Sequence, residues 1–73
     1  MKAFLADVHG FAPSVVAAET ASKARHKVVA ALKDIGYTES AQYKNVRISR
    51  IPRHDEWAKT AKHCVAQSDL EGT

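Results

Sequence analysis

"TASKARHKVVAALKDIGY", residues 20–37, spells out a helix together with both of its ends. Thr20 or Ser22 can accept hydrogen bonds from the exposed amides of a first turn, and Gly36 supplies the left-handed residue at which a helix stops. Between them Ala24, Val28, Ala31, Leu32 and Ile35 recur at steps of three and four, which draws one apolar stripe. Lys23, Lys27 and Asp34 lie opposite that stripe, with His26 and Lys33 beside them. Val29 falls outside it and is expected to be partly exposed. A helix with one apolar side needs a sheet to lie on, and the flanking sequence supplies one.

Upstream, "KAFLADVH" alternates loosely, with Phe4, Ala6 and Val8 on one side. It predicts a strand over 2–9, apolar enough on both faces to be central. Gly10 and Pro13 mark a turn, and "SVVAAE" predicts a second strand over 14–19, joined to the first as an antiparallel hairpin. Downstream of the helix, "TESAQYKN" is a polar loop and "VRISRI" a third strand, Val46 and Ile48 inward, Arg47 and Ser49 outward. Strict alternation would then turn Arg50 inward and Ile51 outward, so a bulge or the strand's end is expected near Ser49–Ile51. Pro52 lacks a donor and stops the ladder.

The simplest topology places strand one between the other two, antiparallel to both. The fold class is therefore α+β: ββαβ with a three-stranded, mainly antiparallel sheet in the order 2-1-3, the long helix on one face, and a short C-terminal helix. That last helix is expected over 55–67, because Trp57, Ala61, Cys64 and Val65 stand at helical spacing, with Asp55 as N-cap and Glu56 in the first turn. Residues 1–67 read as one small domain and 68–73 as a flexible tail. The second sheet face stays open unless the C-terminal segment or a second subunit covers it.

Composition narrows the function classes. A 73-residue chain buries only about 60% of its unfolded surface, so help from oligomerisation or a larger partner is a natural expectation. The single cysteine, Cys64, excludes an intrachain disulfide and fits a reducing compartment. The opening "MKAFLADVHGFAPS" is too short and too polar for a signal peptide or a membrane span, and a cytoplasmic protein without a membrane role is expected. The net charge of +3 hides a gradient: residues 23–54 hold eight basic residues against Asp34 and Glu39, whereas the segments before and after are net negative. An electropositive middle suggests an anionic partner.

His9, His26, His54 and His63 are scattered, and no two have the close spacing of a zinc site, so no metal or cofactor is expected. His63 and Cys64 are neighbours, which on a helix point about 100° apart, the wrong geometry for an ion-paired nucleophile. "HDE" at 54–56 comes with neither a glycine-rich phosphate loop nor a paired-carboxylate pattern. An enzyme is not expected. The functional lead is the basic set: Lys44, Arg47, Arg50 and Arg53 recur every third residue, and Lys23, Lys27 and Lys33 line the helix. The candidate contact residues are Arg47, Arg50, Arg53, Lys44, Lys23 and Lys27.

Two stretches carry a resemblance. Ala18, Thr20, Lys23, Ala24 and Arg25 follow the pattern A-x-(T/S)-x-x-(K/E)-A-(R/K), and Arg50, Pro52 and Asp55 follow R-x-P-x-x-D. Over residues 14–57 the chain resembles small accessory proteins encoded by phages and prophages. The resemblance implies no activity and no site residues. It implies a context, in which a small protein such as an anti-CRISPR inhibitor binds and modulates a larger host complex. Some relatives continue into a cysteine-rich segment; this chain has one cysteine, so no zinc role carries over. The expected function is a non-enzymatic binding module acting through its basic surface on a larger host protein or nucleoprotein complex. Direct nucleic-acid binding through the same charges is the alternative, although Tyr37 and Tyr43 only flank the loop and no aromatic pair sits mid-strand. A structural homodimer that covers the open face is the third reading.

Overall fold

The computed structural model describes residues 1–39, 41–61 and 64–72. Strands β1 (Lys2–Val8) and β2 (Ser14–Ala18) form a hairpin, helix α1 (Ala21–Asp34) crosses over, and β3 (Val46–Arg50) returns. A one-turn helix α2 (Asp55–Ala58), a two-residue strand β4 (Val65–Ala66) and a second one-turn helix α3 (Gln67–Leu70) follow. The sheet order is β3-β1-β2-β4, with every neighbouring pair antiparallel. The expected 2-1-3 core is present, extended by a fourth strand on the β2 side.

The ends of α1 are set by local chemistry. Thr20 is extended, and its hydroxyl accepts from the Lys23 amide at 3.2 Å. Gly36 turns left-handed at φ +95°, which lets the Gly36 amide reach the Lys33 carbonyl and the Tyr37 amide reach that of Leu32. The buried arc is Ala24, Val28, Val29 and Leu32, packed on Phe4, Ala6, Val8, Val16 and Val46. Three helix positions differ from the sequence reading: Ala31, placed on the apolar stripe, is exposed, and Val29 and Ile35 exchange roles. Val29 is 3% exposed and Ile35 67%. Val29 joins the core beneath α1, while Ile35 follows the last helical residue as its C-cap. Val29→Lys is therefore expected to cost about 2–3 kcal/mol by burying a charge, and Ile35→Lys to stay within about 0.5 kcal/mol of the parent. Urea denaturation ranks the two, and the opposite ranking would restore the Ala24–Ile35 stripe.

The C-terminal part corrects the expected 55–67 helix. Helicity ends at Ala58, and the Thr60 amide closes a tight turn onto the Trp57 carbonyl. Val65 then pairs with Val15, and Ala66 with Ser14. The helical spacing correctly marked apolar contacts, because Trp57, Ala61 and Val65 all pack on a second core of Ala3, Val15, Ala17, Ile51 and Ala58. β-branched Val65 meets that core from an extended backbone instead. Cys64 was expected beside Trp57 and Ala61, yet it packs against the α1-side core. His63 lies outside the described residues. Residues 68–72, read as a loose tail, contribute Leu70 to the second core and Glu71 to an ion pair.

The C-terminal segment thus covers the sheet face that α1 leaves, and this explains the parity puzzle at Ile51. The β1–β3 register runs unbroken from Val8↔Val46 to Phe4↔Arg50, and the Ile51 amide continues it onto the Ala3 carbonyl. No bulge is needed. Alternation sends Ile51 to the second face, where a core awaits it, and the strand ends at Arg50 as expected.

Candidate anion-binding surface

Of the six candidate cations, four have their charge or hydrogen bonds engaged within the chain. Arg50 forms a two-pronged pair with Asp55, both N···O distances 2.7 Å, and also donates to the Ala3 carbonyl at 3.0 Å. Its guanidinium lies 5.6 Å from the Phe4 ring centre, so it closes the end of the first core. Asp55 does not cap a helix with its side chain; it accepts from Arg50 and from the Ala3 amide at 2.9 Å. Those bonds, Arg50's first, hold its carboxyl well below the usual carboxylate range and raise the Arg50 pKa in return. Arg53 binds Glu71, which His54 also contacts at 3.2 Å, and both lower the Glu71 pKa. Lys27 donates to the Ala17 carbonyl at 2.6 Å, and Lys23 pairs with Glu19 at 3.6 Å.

Lys44 and Arg47 remain, and no ion pair among the described residues involves either. Arg47 projects from β3, and Lys44 from a 3-10 turn, Tyr43–Asn45, that leads into it. The structure adds Arg25 of α1, which sequence reading used only as part of a motif. Arg25 is half-buried, and its Nε is enclosed with no hydrogen-bond partner. Its position beside Ala24 and Val28–Val29 on the helix wheel, a cation at the margin of an apolar arc, was the available signal.

Arg25 and Arg47 border one depression of about 410 Å³ at the edge of β3, together with Leu5 and Ile48. Arg47 also borders an adjoining depression with Lys44, His9 and Asp7. Nearby, the Tyr43 hydroxyl and His26 Nδ1 are 2.6 Å apart, which ties the turn before β3 to α1. Three cations thus face one carboxylate, Asp7, around the β3 edge. The lining is net positive and includes the apolar side chains of Leu5, Val46 and Ile48.

Among the described residues no three histidine, cysteine or carboxylate side chains converge. The Cys64 thiol lines an apolar groove with Ala30 and Ala31, and burial pushes its pKa up. Among the described residues no helix is long and apolar enough to cross a membrane. Comparisons with protein-family models, curated proteins and solved structures find no match to this chain.

Proposed function

We propose that this chain is a non-enzymatic binding module that engages an acidic site on a larger assembly through Arg25, Lys44 and Arg47. One observation carries the reading: Arg47 borders one depression at the β3 edge with Arg25 and an adjoining one with Lys44, and none of the three has an ion-pair partner among the described residues, while Lys23, Lys27, Arg50 and Arg53 are engaged within the chain. An unpaired, half-buried guanidinium is costly and gains by meeting an anion. The resemblance to phage accessory proteins supports a protein assembly of a host cell, such as a nucleoprotein surveillance complex, as the partner. The homodimer reading rested on an open sheet face, and α2 and α3 pack on that face.

Capture from host lysate, read by mass spectrometry, tests the proposal. Reversing Arg25, Lys44 and Arg47 to glutamate together is expected to reduce capture of the partner at least about tenfold, as loss of complementary charge does. Lys23→Glu, on the far side of α1, should leave capture unchanged. Undiminished capture by the triple variant refutes this surface. Retention on a single-stranded oligonucleotide that falls steeply with salt would move the assignment to nucleic acid.

A further inference from the structure

The β3 edge has a second property besides its charge, and it narrows the chemistry of the partner. Among the described residues, β3 stands at the end of the sheet order and pairs with β1 alone. The Ile51 amide bonds to the Ala3 carbonyl, which fixes the phase of the ladder: Arg47, Ser49 and Ile51 direct their backbone groups at β1. Val46, Ile48 and Arg50 therefore direct theirs outward. The Val46 amide is already taken by the Tyr43 carbonyl, consistent with that phase. Ile48 and Arg50 present two amides and two carbonyls, spaced as in a strand that awaits a neighbour.

From this we infer that β3 is a docking strand, and that its occupant is an extended acidic peptide segment of the partner, added to the sheet edge-on. The inference rests on the proposed binding function and specifies its geometry. A phosphate backbone could use the outward amides but not the outward carbonyls, whereas a peptide satisfies both. A second copy of the chain is disfavoured by charge. From residue 40 to residue 54 there is no acidic residue, and Lys44 and Arg47, which have no ion pair among the described residues, would be brought toward their own duplicates.

The side chains add a requirement on sequence. Arg25 descends from α1, on the face of Val46 and Ile48, and alternation places Arg47 on the opposite face. The two guanidiniums therefore straddle the edge. A strand lying there places successive side chains on the two faces in turn, so two adjacent acids would meet Arg25 and Arg47 respectively. Ile48, half-buried, offers apolar contact to a β-branched neighbour.

The test uses the full chain, labelled with nitrogen-15, and an acetylated, amidated heptapeptide with two central glutamates flanked by valine and threonine. Binding is expected to slow hydrogen exchange at the Ile48 and Arg50 amides and to leave Arg47 and Ser49, already bonded to β1, unchanged. N-methylation of the peptide at alternate residues should abolish this protection, and Arg25→Gln with Arg47→Gln should weaken binding about tenfold. Peptide binding without protection of Ile48 and Arg50 overturns strand docking and leaves the basic surface standing. Arginine-dependent binding of a single-stranded oligonucleotide in place of the peptide overturns the inference in favour of nucleic acid. If neither probe binds, the proposed function falls with it. Protection that appears without peptide and grows with protein concentration would show a second copy at the edge, which also refutes the inference.

Discussion

Phe4→Ala is expected to leave the protein largely unfolded near 37 °C. Phe4 is 5% exposed on the central strand, packed within the cluster beneath α1 and closed at its end by the Arg50 guanidinium. Truncating a buried phenylalanine to alanine costs about 3–5 kcal/mol, from lost transfer energy and the cavity left behind. A domain this short sits near the low end of the usual range, about 5 kcal/mol of total stability. The cost and the reserve are therefore of similar size. Phe4→Leu keeps most of the volume and should lose no more than about 1.5 kcal/mol. Circular dichroism melts of the three proteins check this. An alanine variant melting within a few degrees of the parent would mean that the first core is not organised around Phe4.

The second large effect is expected at Asp55, and it depends on pH. Its carboxylate joins three elements, because it accepts from Arg50 at the end of β3, from the Ala3 amide of β1, and opens α2 itself. The folded-state pKa lies below the ordinary value of 3.8, chiefly through the Arg50 hydrogen bonds. A carboxyl depressed by folding stabilises fully above its unfolded pKa, and the contribution disappears as pH falls through the folded pKa. Asp55→Asn should thus be clearly less stable than the parent at pH 7, and the gap should begin to narrow as pH drops past about 4. Both side chains are about one third exposed, so high salt should narrow the gap as well. Urea midpoints across pH 2–7 read the effect. Parent and variant profiles that stay parallel would show that the carboxylate's charge contributes nothing.

Sequence and structure agree where local rules dominate. The N-cap at Thr20, the stop at Gly36, the hairpin of β1 and β2, and the central place of β1 all follow from short-range chemistry and two-sided apolar character. "SVVAA" carried a further signal, since four consecutive apolar residues in a strand require cover on both faces; Val15 to Ala18 are all buried. The C-terminal helix was misread because spacing of three and four marks residues that share a core without fixing the backbone between them. The site was half legible. Lys44 and Arg47 stood out by charge, but whether a cation is free depends on where carboxylates arrive in space. Asp55 removes Arg50, and Glu71, eighteen residues further along the chain, removes Arg53. Neither event is written in the arginine spacing.

The two sides of the sheet also differ in when they can form. α1 has fourteen residues and its own caps, whereas α2 and α3 have four residues each, below the length at which a helix persists alone. The cover over Ala3, Val15 and Ala17 therefore has no local route to structure and must assemble on a hairpin that already exists. The α1 side is therefore expected to form first. In reverse, the C-terminal layer is the unit that opens first from the native state, held by the Arg53–Glu71 pair and the short β2–β4 ladder. Amides of β4 and α3 should exchange with solvent well before those of β1 and α1.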